Sequence, residues 1–167
     1  MVNRYNNSKN GSLDANVYVQ IEPIKNLRFK TVYGISYGAS EYRAYTPKYQ
    51  FTPQTANTVS KVNQSHGHGL SMVWTNTLSY DFNALIGSEL STYDGSNTEG
   101  SNTGLIPGFD DWDHAYLVNT NGTENKTVKG SPYDSTRGMS YFARLGWTWK
   151  ERYMVNATMR ADGSSKF

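Results

Sequence analysis

Apolar and polar residues alternate along three pairs of segments, and this pattern predicts three β-hairpins. The clearest pair spans about residues 138–162. Its first segment is apolar at every second position, and the alternation resumes after residues 150–152 with Tyr153 and Val155. Side chains of a strand point alternately to the two faces of a sheet. Pairing Trp149 with Tyr153 across a three-residue turn would therefore set the apolar residues of the two strands opposite each other.

Two further hairpins are predicted at about residues 15–37 and 70–93, each closing through about three residues. The hairpins are joined by long polar segments, 38–69 and 94–137, which are predicted to be loops. Short turns on one side of a sheet and long loops on the other are typical of outer-membrane barrels. On this interpretation the two long segments are outer loops.

The predicted fold class is all-β, with antiparallel up-and-down strands that form a partial segment, about six strands, of a large transmembrane β-barrel. Only 37% of the residues are hydrophobic, which suits a barrel because only every second residue of a strand meets lipid. The alternative is a secreted or surface-anchored β-sandwich, non-enzymatic, that binds glycans. A sandwich would bury the same apolar faces in a shared core.

The two faces of the last hairpin are predicted to meet different surroundings. Arg144 and Arg160 should face the lumen, because a charge on the lipid face near the bilayer midplane costs about 2 to 4 kcal/mol. The residues predicted to face lipid or the aromatic girdles are Tyr141, Leu145, Trp147, Trp149, Tyr153 and Val155.

Charge and composition give no sign of catalysis or of nucleic-acid binding. The formal net charge of +2 is too small to indicate a nucleic-acid partner. The sequence has no cysteine, which excludes disulfides and thiolate metal sites. It also has no nucleophile elbow, phosphate-binding loop or zinc-protease motif. We therefore predict that the protein is not an enzyme and needs no cofactor.

Two groups of residues have side chains of the kind that bind metal ions. His66 and His68 are two residues apart in a predicted loop with no third ligand nearby in the sequence. Asp110, Asp111 and Asp113 are oxygen ligands of the kind that calcium takes, but their spacing does not match an EF-hand loop. Solvated loop residues explain both groups more simply, and no metal site is predicted.

A cluster of aromatic and acidic residues in the second long segment is the candidate ligand site. Sugars stack their apolar faces on aromatic rings and donate hydroxyl hydrogen bonds to carboxylates. The candidate substrate-binding residues are Phe109, Asp110, Asp111, Trp112, Asp113 and Tyr116. The alternative is that some of these side chains form a small hydrophobic core for the loop, made of Ile106, Phe109, Trp112 and Tyr116.

Two stretches of the sequence resemble one family of membrane receptors. The aromatic residues and Arg144 before Lys-Glu-Arg-Tyr153, followed by Arg-Ala-Asp-Gly-Ser-Ser-Lys-Phe at 160–167, resemble the mid-barrel signature of SusC/RagA-type TonB-linked outer-membrane receptors. Residues 74–80, followed by 83–90, resemble a second motif of that family. Receptors of this type have 22-stranded barrels with a plugged lumen.

The resemblance implies a role in nutrient uptake at the bacterial outer membrane. The chain would be an internal fragment of the barrel, without the signal peptide and the plug domain. The implied partners are outer-membrane lipid, a SusD-like lipoprotein, TonB acting through the missing plug, and an oligosaccharide or peptide ligand. A passive porin segment would share the same architecture.

Overall fold

The computed structural model describes residues 5–80, 83–150 and 152–166, apart from the side chains of residues 133, 134 and 149. Most of these residues form strands. The strands are β1 (Tyr5–Ile24), β2 (Leu27–Thr46), β3 (Tyr49–Thr52), β4 (Thr55–Asn57), β5 (Lys61–Tyr80), β6 (Ala84–Thr103), β7 (Thr127–Trp149) and β8 (Tyr153–Ser164).

Within these described residues, the six long strands form one sheet in the order β1-β2-β5-β6-β7-β8. Strands β3 and β4 form a separate antiparallel hairpin. Each long strand therefore lies beside the next long strand of the chain. This arrangement confirms the predicted all-β, up-and-down fold of about six strands.

The predicted register of the last hairpin is confirmed. Strands β7 and β8 are antiparallel, with Trp149 opposite Tyr153 and Trp147 opposite Val155. The same register places Leu145 opposite Ala157. Lys150, in the turn, has a φ of 52°, a left-handed backbone conformation that is uncommon for residues other than glycine.

The strands are longer than the predicted hairpins. Strands β2 and β5 continue into the segment 38–69, and β6 and β7 continue into the segment 94–137. Both segments were predicted to be loops throughout, and this was wrong for their ends. At these strand ends the regular alternation of apolar and polar residues is lost. The backbone hydrogen bonds that define a strand do not depend on that alternation.

The chain divides into two compact units. The core unit consists of Met1–Ser12, Gly38–Gly69 and Gly95–Tyr133. The hairpin unit consists of Leu13–Tyr37, Leu70–Asp94 and Asp134–Phe167, and it contains the short connections from β1 to β2, from β5 to β6 and from β7 to β8.

The hairpin unit exposes its large apolar side chains. Leu145, Trp147 and Val155 are each more than half exposed, as are Val17 and Val19 in strand β1. Among the described residues of this unit, no hydrophobic side chain is buried. The described chain also contains no helix that is long and apolar enough to cross a membrane.

One close contact in the hairpin unit requires a glycine. A Cβ atom on Gly87 in β6 would overlap the ring of Phe142 in β7 and would lie 2.8 Å from the carbonyl oxygen of Asn76. The missing side chain lets the Phe142 ring lie across the neighbouring strand. Cross-strand packing of this kind between an aromatic ring and a glycine helps to fix the pairing of strands.

Candidate functional site

The core unit contains a folded connection between β6 and β7, which we call the capping loop (residues 104–126). Gly104 begins it with a φ of 70°, and its N–H donates to the carbonyl oxygen of Ser60 at 2.9 Å. The N–H of Leu105 donates to the Ser60 hydroxyl at 3.1 Å, and Leu105 forms an antiparallel bridge with Thr120. These contacts fix the start of the loop to Ser60 and to Thr120.

The capping loop packs on strand residues through a small hydrophobic core. Leu105 and Ala115 from the loop are buried against Tyr45 of β2 and Val62 of β5. Trp112 and Leu117 of the loop are partly buried against this cluster. The polar side chain of Gln64 supports it, because its Oε1 accepts a hydrogen bond from the N–H of Leu117 at 2.8 Å.

This core differs from the one proposed from the sequence. Trp112 takes part, as expected, but Ile106, Phe109 and Tyr116 are exposed. The loop instead packs Leu105 against buried strand residues. Residues of a strand in a sheet are already ordered, so packing on them costs less conformational entropy than ordering a second loop segment.

The guanidinium group of Arg43 lies against two aromatic rings of the capping loop. Its Cζ atom is 4.0 Å from the ring centroid of Trp112 and 4.2 Å from that of Tyr116. Tyr5 stacks on the same Trp112, with 5.8 Å between ring centroids, and on Tyr45, with 6.2 Å. Cation–π contacts of this kind are worth about 0.5 to 2 kcal/mol each, depending on desolvation.

Asp110 anchors the start of the aromatic cluster. Its carbonyl oxygen accepts a hydrogen bond from the Tyr45 hydroxyl at 3.0 Å, and its Oδ2 lies 3.0 Å from Nζ of Lys48. Burial, together with the nearby charge of Asp110, raises the pKa of Tyr45 to about 12. The tyrosine is therefore a neutral hydrogen-bond donor at physiological pH.

Asp111 pairs with His114 inside the loop. The backbone N–H of His114 donates to its Oδ1 at 3.0 Å, and Nδ1 of the His114 ring lies 2.8 Å from its Oδ2. Hydrogen bonds from the His114 side chain and backbone hold the pKa of Asp111 below its ordinary value. The ring of Phe109 meets the His114 ring edge-on, with 5.0 Å between centroids.

The structure thus brings the six predicted substrate-binding residues into one loop and gives them different surroundings. Trp112 is in contact with Arg43 and Tyr5, so its ring is not an open platform. Phe109, Asp113 and Tyr116 are exposed. Their role in binding a substrate stays a prediction.

The residues weighed as metal ligands have other partners. Nδ1 of His66 lies 3.9 Å from Glu41, and the His68 ring is 3.3 Å from the hydroxyl of Ser96. Among the described residues, no group of three or more histidine or acidic side chains is placed to hold a metal ion.

Arg160, predicted to face the lumen, belongs to a polar network in the hairpin unit. Its Nε donates to Asp162 at 2.7 Å, and Nη2 donates to Glu89 at 3.3 Å and to the Ser140 hydroxyl at 3.1 Å. Arg144 lies opposite Thr158 in the register of β7 and β8. Their lumenal position stays a prediction, as does the lipid-facing position of the apolar set; the Trp149 side chain of that set is outside the described part of the structure.

Reading the sequence alone missed the residues that surround the capping loop. Arg43, Tyr45 and Gln64 come from segments interpreted as loop, and Tyr5 comes from an Asn-rich stretch. Glu41, Arg43 and Tyr45 share one face of β2, but two of the three are charged, so the hydrophobic pattern alone does not reveal them.

Comparison with known proteins identifies the fold. No family model matches the sequence, and no curated protein matches it. Solved structures do match: the RagAB peptide transporter, and the RagAB peptide importer in its "open-open" and "closed-closed" states. Each match has a TM-score of 0.81 and 21% sequence identity, and covers 98% of this chain and 18% of the other.

The chain therefore has the fold of a part of these transporters and spans about a fifth of the length of the chains it matches. The likeness covers nearly all of the chain, so it includes both the core unit and the hairpin unit. The predicted resemblance to SusC/RagA-type receptors is confirmed at the level of the fold.

Proposed function

We propose that this chain forms part of the barrel wall of a SusC-like, TonB-dependent importer in the bacterial outer membrane. The observation that carries the proposal is the match of 98% of the chain to a peptide transporter at a TM-score of 0.81. The exposed apolar side chains of the hairpin unit support it, because a lipid bilayer would cover them. The role is binding and passage of a nutrient, without covalent chemistry.

The nutrient is an oligosaccharide or a peptide, and a SusD-like lipoprotein is the expected partner. The matching structures are of a peptide transporter, which favours a peptide. The capping loop has exposed aromatic and acidic side chains close together, such as Phe109 and Asp113. We assign this loop to contact with the ligand or with the lipoprotein, and TonB to a plug outside this chain.

The likeness to the "open-open" and "closed-closed" states of the importer is equal, with a TM-score of 0.81 in both. This equality supports a static role for the present chain. Opening and closing would then be carried by other parts of the receptor or by its partner.

A glycan-binding sandwich is the less favoured function. A sandwich needs a second sheet large enough to cover the first. In the described part of the chain the second sheet has only two strands, of 4 and 3 residues, against six long strands in the first. The apolar faces of the hairpin unit would stay uncovered.

Nutrient depletion by the host bacterium tests the import function. A strain lacking the receptor gene, the same strain with the gene restored, and the restored strain treated with a protonophore would be incubated with defined peptides and neutral oligosaccharides. We expect one class to disappear from the medium only with the restored, energised strain. Equal depletion by all three would contradict the proposal.

A further inference from the structure

A small polar cavity lies in the core unit beside the capping loop. Its volume is about 170 Å³, below the ~300 to 1,000 Å³ of pockets that enclose a whole drug-sized ligand. It therefore has room for one functional group at the end of a ligand. The residues that give it its chemistry are Lys9, Glu41, Arg43, Gln64, His66 and Tyr116.

Arg43 is held in place before any ligand arrives. The rings of Trp112 and Tyr116 lie 4.0 and 4.2 Å from its Cζ atom, so much of the rotational freedom of the side chain is already lost. Its Nη1 is shielded from solvent and makes no hydrogen bond with the residues that the structure describes. The edge of a guanidinium fixed in this way, where it lines the cavity, is suited to pair with a planar anion.

The charged side chains that line the cavity are two cations, Arg43 and Lys9, and one carboxylate. Oε1 of Gln64 is engaged by the N–H of Leu117, so the amide nitrogen is the end of that side chain left to serve the cavity. Lys9 adds a second permanent cation. The one carboxylate, Glu41, lies 3.9 Å from the His66 ring. An anionic group would therefore be attracted to this cavity.

We infer that this cavity binds a carboxylate group of the transported nutrient, with Arg43 as its main partner and Lys9 as a secondary one. The inference rests on the proposed import function for the source of the ligand, and it narrows the substrate class to molecules that carry a free carboxylate. A peptide C-terminus and a uronic acid share this chemistry. A neutral oligosaccharide lacks it.

The test is calorimetric titration of the full-length receptor in detergent with paired ligands. One pair is trialanine and its C-terminal amide, and the other is trigalacturonate and its methyl ester. We expect one free acid to bind about tenfold more tightly, or better, than its neutral partner. Equal affinity within both pairs, or no binding of either acid, would overturn the inference.

Three substitutions locate the effect. Arg43→Gln should abolish the preference for the free acid over its neutral partner. Lys9→Gln, at an exposed side chain outside the aromatic cluster, should reduce the preference about two- to fivefold. If Arg43→Gln disturbs the capping loop, Lys9→Gln still tests the cavity, because Lys9 does not pack in the aromatic cluster. Arg28→Gln, in the hairpin unit, is the matched control and should have no effect.

Two further observations test the specificity of the cavity and the source of the ligand. Inorganic phosphate that competes as strongly as acetate would overturn the specificity for a carboxylate, because a planar fork fits a planar anion best. Binding of trialanine would indicate that the ligand is a peptide, and binding of trigalacturonate would indicate an acidic sugar. Binding in detergent needs neither TonB nor a membrane potential, so failure of import in cells with intact acid binding would count against the proposed function and not against this site.

Discussion

In the core unit, Tyr45, Val62, Leu105 and Ala115 pack into a cluster shielded from water, whereas the described residues of the hairpin unit include no buried hydrophobic side chain. Both units use strands from the same six-stranded sheet. The difference lies in what covers their apolar groups. The core unit supplies its own cover through the capping loop, whereas the described large apolar side chains of the hairpin unit lie exposed.

Truncating a buried side chain of the core unit should cause the largest loss of stability, and the loss should be confined to that unit. Leu105 is 4% exposed, so Leu105→Ala should destabilise the core unit by about 2 to 5 kcal/mol. Ile106→Ala, at the next residue, which is 38% exposed, is the control and should cost far less. Native-state hydrogen exchange measures both. Equal loss of protection in the hairpin unit would show that the two units do not unfold separately.

Placing a charge on the apolar face should affect the hairpin unit instead. Ala157→Arg, on the same face as Val155 and opposite Leu145 midway along the hairpin, should cost about 2 to 4 kcal/mol, the value for a site near the bilayer midplane. Asn156→Arg, one residue along β8 and on the opposite face, should cost much less. Urea titration of the full-length receptor refolded in lipid vesicles gives both values. Similar costs for the two variants would contradict the assignment of this face to lipid.

The Gly87 contact offers a way to disturb the hairpin unit from within. Gly87→Ala would push the new Cβ into the Phe142 ring, and overpacking of this kind costs about 1 to 3 kcal/mol. Gly34→Ala is the control, since its Cβ would be 3.9 Å from the nearest atom, the carbonyl oxygen of Val73. In the Gly87→Ala/Phe142→Ala double variant, the two costs should be less than additive. Full additivity would show that the ring does not cause the strain.

Ionisation of Tyr45 should produce the smallest effect, confined to the core unit. Its pKa is raised from the ordinary 10.0 to about 12, so the neutral form is favoured in the folded state. The stability it contributes is complete below pH 10 and is lost as the pH rises toward 12. Tyr45→Phe should remove this loss and cost about 0.5 to 1.5 kcal/mol at neutral pH. Urea titrations at pH 8 and pH 11 would compare the stability of the wild-type protein with that of Tyr45→Phe. An equal loss of stability in both proteins would contradict the assignment of this pH dependence to Tyr45.

The hairpin unit was easier to predict from the sequence than the core unit, and the reason is physical. In β7 and β8 one face is apolar, so the period-two alternation gave both the strands and the pairing of Trp149 with Tyr153. In the core unit the strands carry few buried apolar residues, such as Tyr45 and Val62, and the alternation gives no signal. The predicted loops at 38–69 and 94–137 were therefore too long.

The candidate site shows the same limit. The cluster around Trp112 was visible because aromatic and acidic residues are close together in the sequence. Arg43 was not, because its contact with Trp112 joins residues 69 positions apart, and no local pattern encodes such a pair. Leu105 was overlooked for a similar reason: its buried position depends on Ser60 and Val62, which come from β5 and the segment before it.

The order of strands in the sheet also bears on how such a protein can change over evolutionary time. The β3–β4 hairpin and the capping loop are both inserted between strands that remain neighbours in the sheet. Either excursion can be lengthened, replaced or deleted without moving any long strand to a new neighbour. Selection can therefore redesign either insertion, including the capping loop proposed to meet the ligand, while the six long strands keep their pairing. Relatives with this fold are expected to differ most in these two insertions.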